Sequence, residues 1–314
     1  METPAVTVQH LSKRFGDRTA YDDVSFDVGH GEVFGFLGPN GAGKTSTVRT
    51  LGTLIAPTSG SASVAGLPLT AENGPAIRSR ISIMPETPGL YLRLTVAENL
   101  EFFAGLHALS RTRERIARAL AAVSLTDRAG DVCGALSKGL RQRAALALAV
   151  LNEPTVLFLD APTSGLDPVA ARDVHDLITT LRERGVTIFL TTHRLAESEQ
   201  LCDRVAILNT TLRLIGPPAE LRTRLFARKL KVRVRTAPPD PDTLFGGLTG
   251  IDEWQKDPSG TFLLTVPDPH TAAPDVARAL VHAGADILSI TESRHSLEDV
   301  YLELVDEDVE ARRP

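Results

Sequence analysis

Nine consecutive residues constrain this chain more than any others: Gly38, Pro39, Asn40, Gly41, Ala42, Gly43, Lys44, Thr45 and Ser46. They match the phosphate-loop pattern G-x-x-x-x-G-K-[ST] in full. Residues 32–37 (EVFGFL) are a short apolar run that reads as a buried strand, and residues 44–54 contain no helix breaker but Gly52. The order strand, glycine loop, helix suits anion binding for three reasons. Glycines let successive backbone N–H groups turn inward, because no Cβ blocks the approach. The helix that follows points its positive end at the same place. Lys44 supplies a mobile cation for the outer phosphates, and the Thr45 hydroxyl is a ligand for Mg²⁺. The stretch predicts a nucleotide site.

The rest of the chain narrows the class. At 314 residues it exceeds one typical core, so two domains are expected. A net charge of −5 with both signs mixed gives no bulk electrostatic case for nucleic acid. Cys133 and Cys202, the only cysteines, lie far apart and match no metal motif. That excludes a disulfide framework and fits a reducing, cytosolic setting. No apolar stretch approaches the ~20 residues of a membrane span. The longest, residues 144–151, is far too short, and the N-terminal METPAVTVQH has neither a basic start nor an apolar signal core. Work at a membrane would need another chain to supply the spans.

Read in order, residues 5–11 alternate as a half-buried strand and KRFGD follows as a turn. Residues 25–28 and 32–37 are strands, 57–60 a turn, 61–64 a short strand and 81–84 an apolar one. From Thr95 the period is helical. Thr95 and Glu98 make a capping box, with Val96, Leu100, Phe103 and Leu106 on one face. Residues 111–123 and 139–152 are further helices, so about 90–152 is a helical insert. Residues 155–160 (TVLFLD) form an apolar strand ending in a carboxylate. A helix at 168–184 starts on Pro168 and ends before Gly185. Residues 186–192 are a central strand that delivers His193, and 205–208 and 212–215 close the set. Alternating strands and helices argue for an α/β core with ligands beyond the strands' carboxyl ends.

A helix from 216–218 leads to a boundary near 224–229, dividing residues 1–225 from 226–314. KLKVRVR, residues 229–235, reads as a half-exposed edge strand with its basic residues on the wet side. That is favoured over a nucleic-acid or lipid stripe because no aromatics interleave it. A turn at 257–260 separates two strands, a helix at 273–283 ends at Gly284, and 285–291 is a strand. A last helix at 296–305 carries Ser296 and Asp299 in capping positions. This second part is a small α+β domain with no catalytic constellation.

Four further segments make the phosphate loop specific: LSKGLRQR at 136–143, TVLFLD at 155–160, SGLDP at 164–168 and TTH at 191–193. In this order the set resembles the ATP-binding cassette (ABC) ATPases, the motor subunits of ABC transporters, over residues 6 to about 225. The resemblance implies an α/β fold, a P-loop NTPase ABC ATPase core with a helical subdomain, followed by the small α+β C-terminal domain. It implies ATP and Mg²⁺ as ligands. Phe15 would stack on adenine, residues 38–46 would wrap the phosphates, and Thr45, Glu86 and Asp160 would stand by the metal. Ser137, Lys138 and Gly139 match the signature segment that meets the γ-phosphate held by the other subunit. Lys138 and Leu140 depart from the usual LSGGQ, while the serine and second glycine remain. Asp167 matches the loop that touches the opposite subunit, and His193 the switch histidine. The working unit implied is a head-to-tail homodimer or heterodimer, attached to separate transmembrane permease subunits at the cytoplasmic face of the membrane.

Two departures bear on catalysis. Such families place Glu directly after the metal Asp, to orient or activate water; this chain has Ala161. Losing a positioned base typically costs on the order of 10²–10⁴ in rate. The expectation is tight ATP binding with poor hydrolysis. Glu86 stands where Gln is usual, either helping to hold Mg²⁺ or partly serving as base. ETPGLYLRLTVAENL, LCDRVAILN and HSLEDVYLELV are similar to a branch of exporters related to daunorubicin-resistance pumps, whose ATPase is a separate polypeptide. An ATP-gated clamp, or the silent half of a mixed dimer, is the alternative. A soluble ABC protein of translation or DNA repair fits worse, because neither a second cassette nor a long coiled-coil insertion is present.

Overall fold

The computed structural model describes residues 3–225, 228–293, 296–301 and 304. They form two compact units that divide between Pro218 and Ala219. The first unit begins with β1 (Val6–Phe15), β2 (Arg18–Val28), β3 (Val33–Leu37), α1 (Lys44–Leu51), β4 (Ser59–Val64), β5 (Leu67–Pro68), α2 (Gly74–Arg78) and β6 (Ile81–Met84). It continues through α3 (Val96–Leu106), α4 (Thr112–Ala122), α5 (Lys138–Val150), β7 (Val156–Asp160), α6 (Pro168–Glu183), β8 (Thr187–Thr192), α7 (Leu195–Leu201), β9 (Arg204–Asn209) and β10 (Thr211–Gly216).

The main sheet has the order β10-β9-β3-β8-β7-β6, and every pairing but β10 with β9 is parallel. A parallel sheet is covered on both faces, so its strands read as continuous apolar runs. Accordingly β3, β7 and β8 are buried at every position. A smaller antiparallel sheet, β2-β1-β4-β5, shares a core with it. Phe26 of that sheet meets Phe34 and Phe36 of β3 at ring-centroid distances of 5.4 Å, and Phe189 of β8 at 5.9 Å. Phe189 also meets Phe158 of β7 at 5.5 Å. These rings hold β3, β8 and β7 side by side with their carboxyl ends on one edge. Asp160 pairs with Thr191 there, and Leu37 with Thr192.

Several expectations need correction. β1 does not stop at Leu11: Arg14 pairs with Thr19 and Phe15 with Arg18, leaving Gly16, at φ +55°, and Asp17 as the turn. Residues 57–60 are not a turn, since β4 already starts at Ser59. Gly60 sits in that strand at φ +82°, where a Cβ would stand 2.1 Å from the His10 carbonyl oxygen. Its glycine serves close backbone approach. The capping box of α3 forms, with Glu98 N donating to Thr95 Oγ1 and Thr95 N to Glu98 Oε2. The inner face of α3, however, is Val96, Asn99, Leu100 and Ala104. Leu106, the last residue of the helix, is 68% exposed, and Phe103 is half-buried. Asn99 is buried because its amide group bonds to Tyr91 N, Tyr91 O and Thr95 O, a role that hydrophobic periodicity does not report. The short helices α2 and α7 were not anticipated.

After α8 (Pro218–Leu225) the second unit contains β11 (Lys229–Val234), α9 (Pro241–Gly246), β12 (Glu253–Lys256), β13 (Phe262–Thr265), α10 (Pro269–His282) and β14 (Ile287–Ser293). Its antiparallel sheet has the order β12-β13-β11-β14. So β11 is not an edge strand: Lys231 pairs with Leu263 on one side and Thr291 on the other. Leu230 and Val232 point into the core and Lys231 and Arg233 outward. Alternation reports which face is wet; it says nothing of how many neighbours a strand has. α10 starts at Pro269, earlier than expected, because Asp268 accepts a bond from His270 N and caps it. Ser296 and Asp299 exchange capping bonds as expected. The expected end of that last helix, residue 305, lies outside the described residues.

Phe189 touches rings from both sheets, so truncating it opens the shared core. Phe189→Ala is expected to cost about 3–5 kcal/mol in urea denaturation followed by circular dichroism.

Candidate nucleotide site

The carboxyl edge of β3, β8 and β7 opens into a cavity of about 640 Å³. Its lining includes Phe15, Asn40, Gly41, Gly43, Lys44, Thr45, Ser46, Glu86, Asp160, Ala161 and His193. Residues from five separate stretches of sequence thus reach one space.

The loop after β3 is shaped by where glycine is obligatory. Gly38 has φ +153° and Gly43 φ +105°, and a Cβ on them would stand 2.1 Å from the Leu208 carbonyl oxygen and 2.2 Å from that of Ala20. Gly41 has φ +87° and a Cβ there would meet only Arg18 Nη2, at an ordinary contact distance of 4.0 Å, so backbone conformation is what matters. Ala42 is buried behind the loop. Lys44 Nζ turns back to donate to Gly38 O at 2.8 Å and Pro39 O at 2.9 Å. Burial lowers its pKa, opposed by the charges of Asp160 and Glu86. The positive group therefore sits desolvated, bonded only to neutral carbonyls, where an anion would be a stronger partner.

Asp160 ends β7 and is 9% exposed; its Oδ1 accepts from the Thr191 hydroxyl of the neighbouring strand. Thr45, Asp160 and Glu86 offer one hydroxyl and two carboxylates to the cavity. Hard oxygen donors in that number fit Mg²⁺, which keeps several waters and shares itself with phosphates. Ala161 follows at φ +48°, with its N–H donated to Thr191 O at 3.0 Å and its methyl group on the cavity wall. Ser164 Oγ donates to Glu86 Oε1 at 2.8 Å. His193 stands exposed just past β8. Phe15, at the hairpin end of β1, is 49% exposed with Lys13 Nζ 4.9 Å from its ring centre.

Ser137, Lys138, Gly139 and Asp167 do not line this cavity. Ser137 caps α5 by accepting from Leu140 N, and Asp167 caps α6 by accepting from Val169 N and Ala170 N. A Cβ on Gly139 would stand 2.8 Å from that of Ala170, so this glycine lets α5 approach α6. Lys138 Nζ fills the space above Gly165. Sequence reasoning missed Arg18, Ser164 and Thr191, all of which line the cavity. For Thr191 a signal existed, since the TTH strand neighbours the Asp strand in any such order; for Ser164 and Arg18 none did.

Comparison with known proteins agrees with this geometry. Residues 21–164 match the family described as ABC transporter. Residues 216–305 match the one described as ATP-binding protein DrrA1-3-like, C-terminal domain. The fluoroquinolones export ATP-binding protein of Mycobacterium tuberculosis is 40% identical over 79% of this chain and 83% of its own. The daunorubicin resistance ATP-binding protein DrrA3 of Streptomyces coeruleorubidus is 36% identical over 98% of both chains. A solved structure of the ATP binding subunit of an ABC transporter superposes with a TM-score of 0.63 at 32% identity, covering 71% of this chain and 93% of the other.

The glycine geometry separates two substitutions. Gly41→Ala meets only the left-handed penalty of about 1–2 kcal/mol. Gly43→Ala adds a clash with the Ala20 carbonyl and is expected to cost at least about twice as much. Urea midpoints of the two variants against the parent chain decide it; equal losses would contradict the packing argument.

Proposed function

The chain belongs to the ABC transporter family as an ATP-binding subunit, and on that premise we propose that it closes around ATP as a dimer to drive an exporter. The observation that carries this reading is the convergence of Lys44, Asp160 and His193 on one cavity beside the phosphate loop. ATP phosphates would lie in the loop, bound by its amides and by Lys44, with adenine against Phe15. Bound Mg²⁺ would neutralise phosphate charge, held by Thr45 and Asp160 with Glu86 near. His193 would meet the terminal phosphate. The starts of α5 and α6, away from this cavity, supply Ser137, Lys138, Gly139 and Asp167 to the cavity of a second copy, homologous or identical.

The path to the membrane subunits is supported by an apolar surface. Tyr91, Leu92, Phe102 and Leu106 are between 46% and 68% exposed. Tyr91 and Phe102 pack edge to face at 4.9 Å, joining the segment after Glu86 to α3. Among the described residues no helix is long and apolar enough to cross a membrane. Separate permease subunits would dock on this patch, at the cytoplasmic face. Drug export is the reading that the names of the relatives favour.

Ala161 sets the rate. Ala161 directly follows Asp160 on the cavity lining, where a glutamate would face the attacking water, and methyl can neither accept a proton nor orient water. Binding groups are all present, so the ATP-closed dimer would be long-lived. The same observation favours a second reading, an ATP-gated clamp or the non-hydrolytic half of a mixed dimer.

Two variants separate these. Lys44→Ala is expected to weaken ATP binding by about 10- to 100-fold, the value of one charge-assisted bond, in equilibrium titration with a fluorescent ATP analogue. Ala161→Glu is expected to raise phosphate release by roughly 10²–10⁴-fold. No gain from the glutamate would favour the clamp.

A further inference from the structure

Outside the cavity, one carboxylate gathers partners from three parts of the chain. Glu197, in the first turn of α7, accepts from the Thr163 hydroxyl at 2.7 Å through Oε2. Its Oε1 accepts from Arg194 Nη1, and its Oε2 lies 3.4 Å from His175 Nε2 on α6. Thr163 is 2% exposed, and the side chains of Glu197 and His175 are 18% and 17% exposed. Burial pushes the Glu197 carboxyl up, but bonds from Thr163 and Arg194 and the charges of Arg194 and His175 outweigh it, leaving it below the ordinary range. A carboxylate in the first turn often only complements the helix dipole. Here its hydroxyl partner is 34 residues away in sequence, so the role is not local.

The positions of those partners give the network its meaning. Thr163 lies two residues past Ala161, in the loop that runs on to Asp167. Arg194 directly follows His193. We propose that Glu197 is a positioning residue that locks the loop 161–167 to the segment bearing His193, so that a nucleotide contact at His193 is carried to the loop that leads to Asp167. The inference rests on the reading of the cavity as an ATP site. The loop has a second anchor of the same kind, Gln142 Nε2 donating to Pro162 O at 2.6 Å, which ties it to α5. The Glu197 bond ties it to the helix that follows His193, and Ala161 N–H, donated to Thr191 Oγ1 at 3.2 Å, ties it to the strand that precedes His193.

The test uses the full chain with ATP and Mg²⁺, read by amide hydrogen exchange and by titration with the fluorescent analogue. In the parent chain, nucleotide should slow exchange at 161–167 and at 193–197 together. In Thr163→Val, which is isosteric, protection of 161–167 should fall about tenfold, one hydrogen bond's worth. Protection of 193–197 and nucleotide affinity should stay within about twofold. Thr163→Ser should restore coupling, and Glu197→Gln added to Thr163→Val should lower protection of 161–167 no further, because both remove the same Thr163–Glu197 bond, while loss of the Arg194 and His175 pairings is read at 193–197. Unaltered loop protection in Thr163→Val, additive losses at 161–167 in the double variant, or an equal fall in affinity would each overturn the proposal while leaving the ATP reading intact. A parent chain that binds no nucleotide would remove both.

Discussion

Two backbone carbonyl oxygens, those of Leu208 and Ala20, decide where the phosphate loop can lie. They approach Gly38 and Gly43 so closely that no side chain fits between. The loop is thereby pressed against the end of β9 on one side and against β2 on the other, with Asn40, Gly41 and Gly43 on the cavity lining. Lys44 is placed by the same packing. Its ammonium group is already stripped of much of its water and holds only two neutral carbonyls. The desolvation cost is met in folding, so an arriving phosphate gains a charge-assisted bond without that cost at the moment of binding. The site is preorganised by glycine packing before any ligand is present.

The second constraint is the loop after β7. Ala161 is fixed by the carbonyl of Thr191, Pro162 by Gln142, Thr163 by Glu197, Ser164 by Glu86, and Asp167 by the amides of α6. Lys138 covers Gly165. Each residue answers to a different element, so the loop's path is over-determined. That explains how Ala161 can hold φ +48°, at a cost of about 1–2 kcal/mol for a non-glycine residue. It also means that Ala161→Glu would change the chemistry offered at this position without changing the path of the loop. The backbone that would carry a glutamate is held by groups that do not include its side chain.

What the sequence made legible follows from the range of the signal. The parallel strands β3, β7 and β8 are continuous apolar runs, and phosphate loop, Asp160 and His193 hang on their ends, so fold class and most of the cavity could be read from local pattern. Glycines were legible as residues but not as roles. Gly139 reads as a phosphate contact, yet its lack of a Cβ also lets α5 approach Ala170; Gly60 reads as a turn and lies in a strand. The polar anchors were not legible at all. Thr163 to Glu197 spans 34 residues and Ser164 to Glu86 spans 78, and nothing in either neighbourhood announces the other. β11 shows the same limit, since a strand's own alternation cannot say whether it has one neighbour or two.

The placement of the α5 start bears on how many chains one site requires. A helix start leaves its first amide hydrogens outside the helical ladder, and Ser137 takes only that of Leu140. The rest is a ready anion site of the kind found at helix N-termini. It is not on the wall of the cavity that holds Lys44. Nor is it loosely hung, because Gly139 packs on α6 and Lys138 on the loop at Gly165. A rigid anion site and a rigid phosphate loop on different walls of one unit cannot grip the same phosphate by local adjustment. The proposed dimer, with two copies arranged head to tail, would satisfy both at once. Asp167, capping α6 and anchored through its loop to the segment of His193, would then sit where each copy can sense whether the other is loaded.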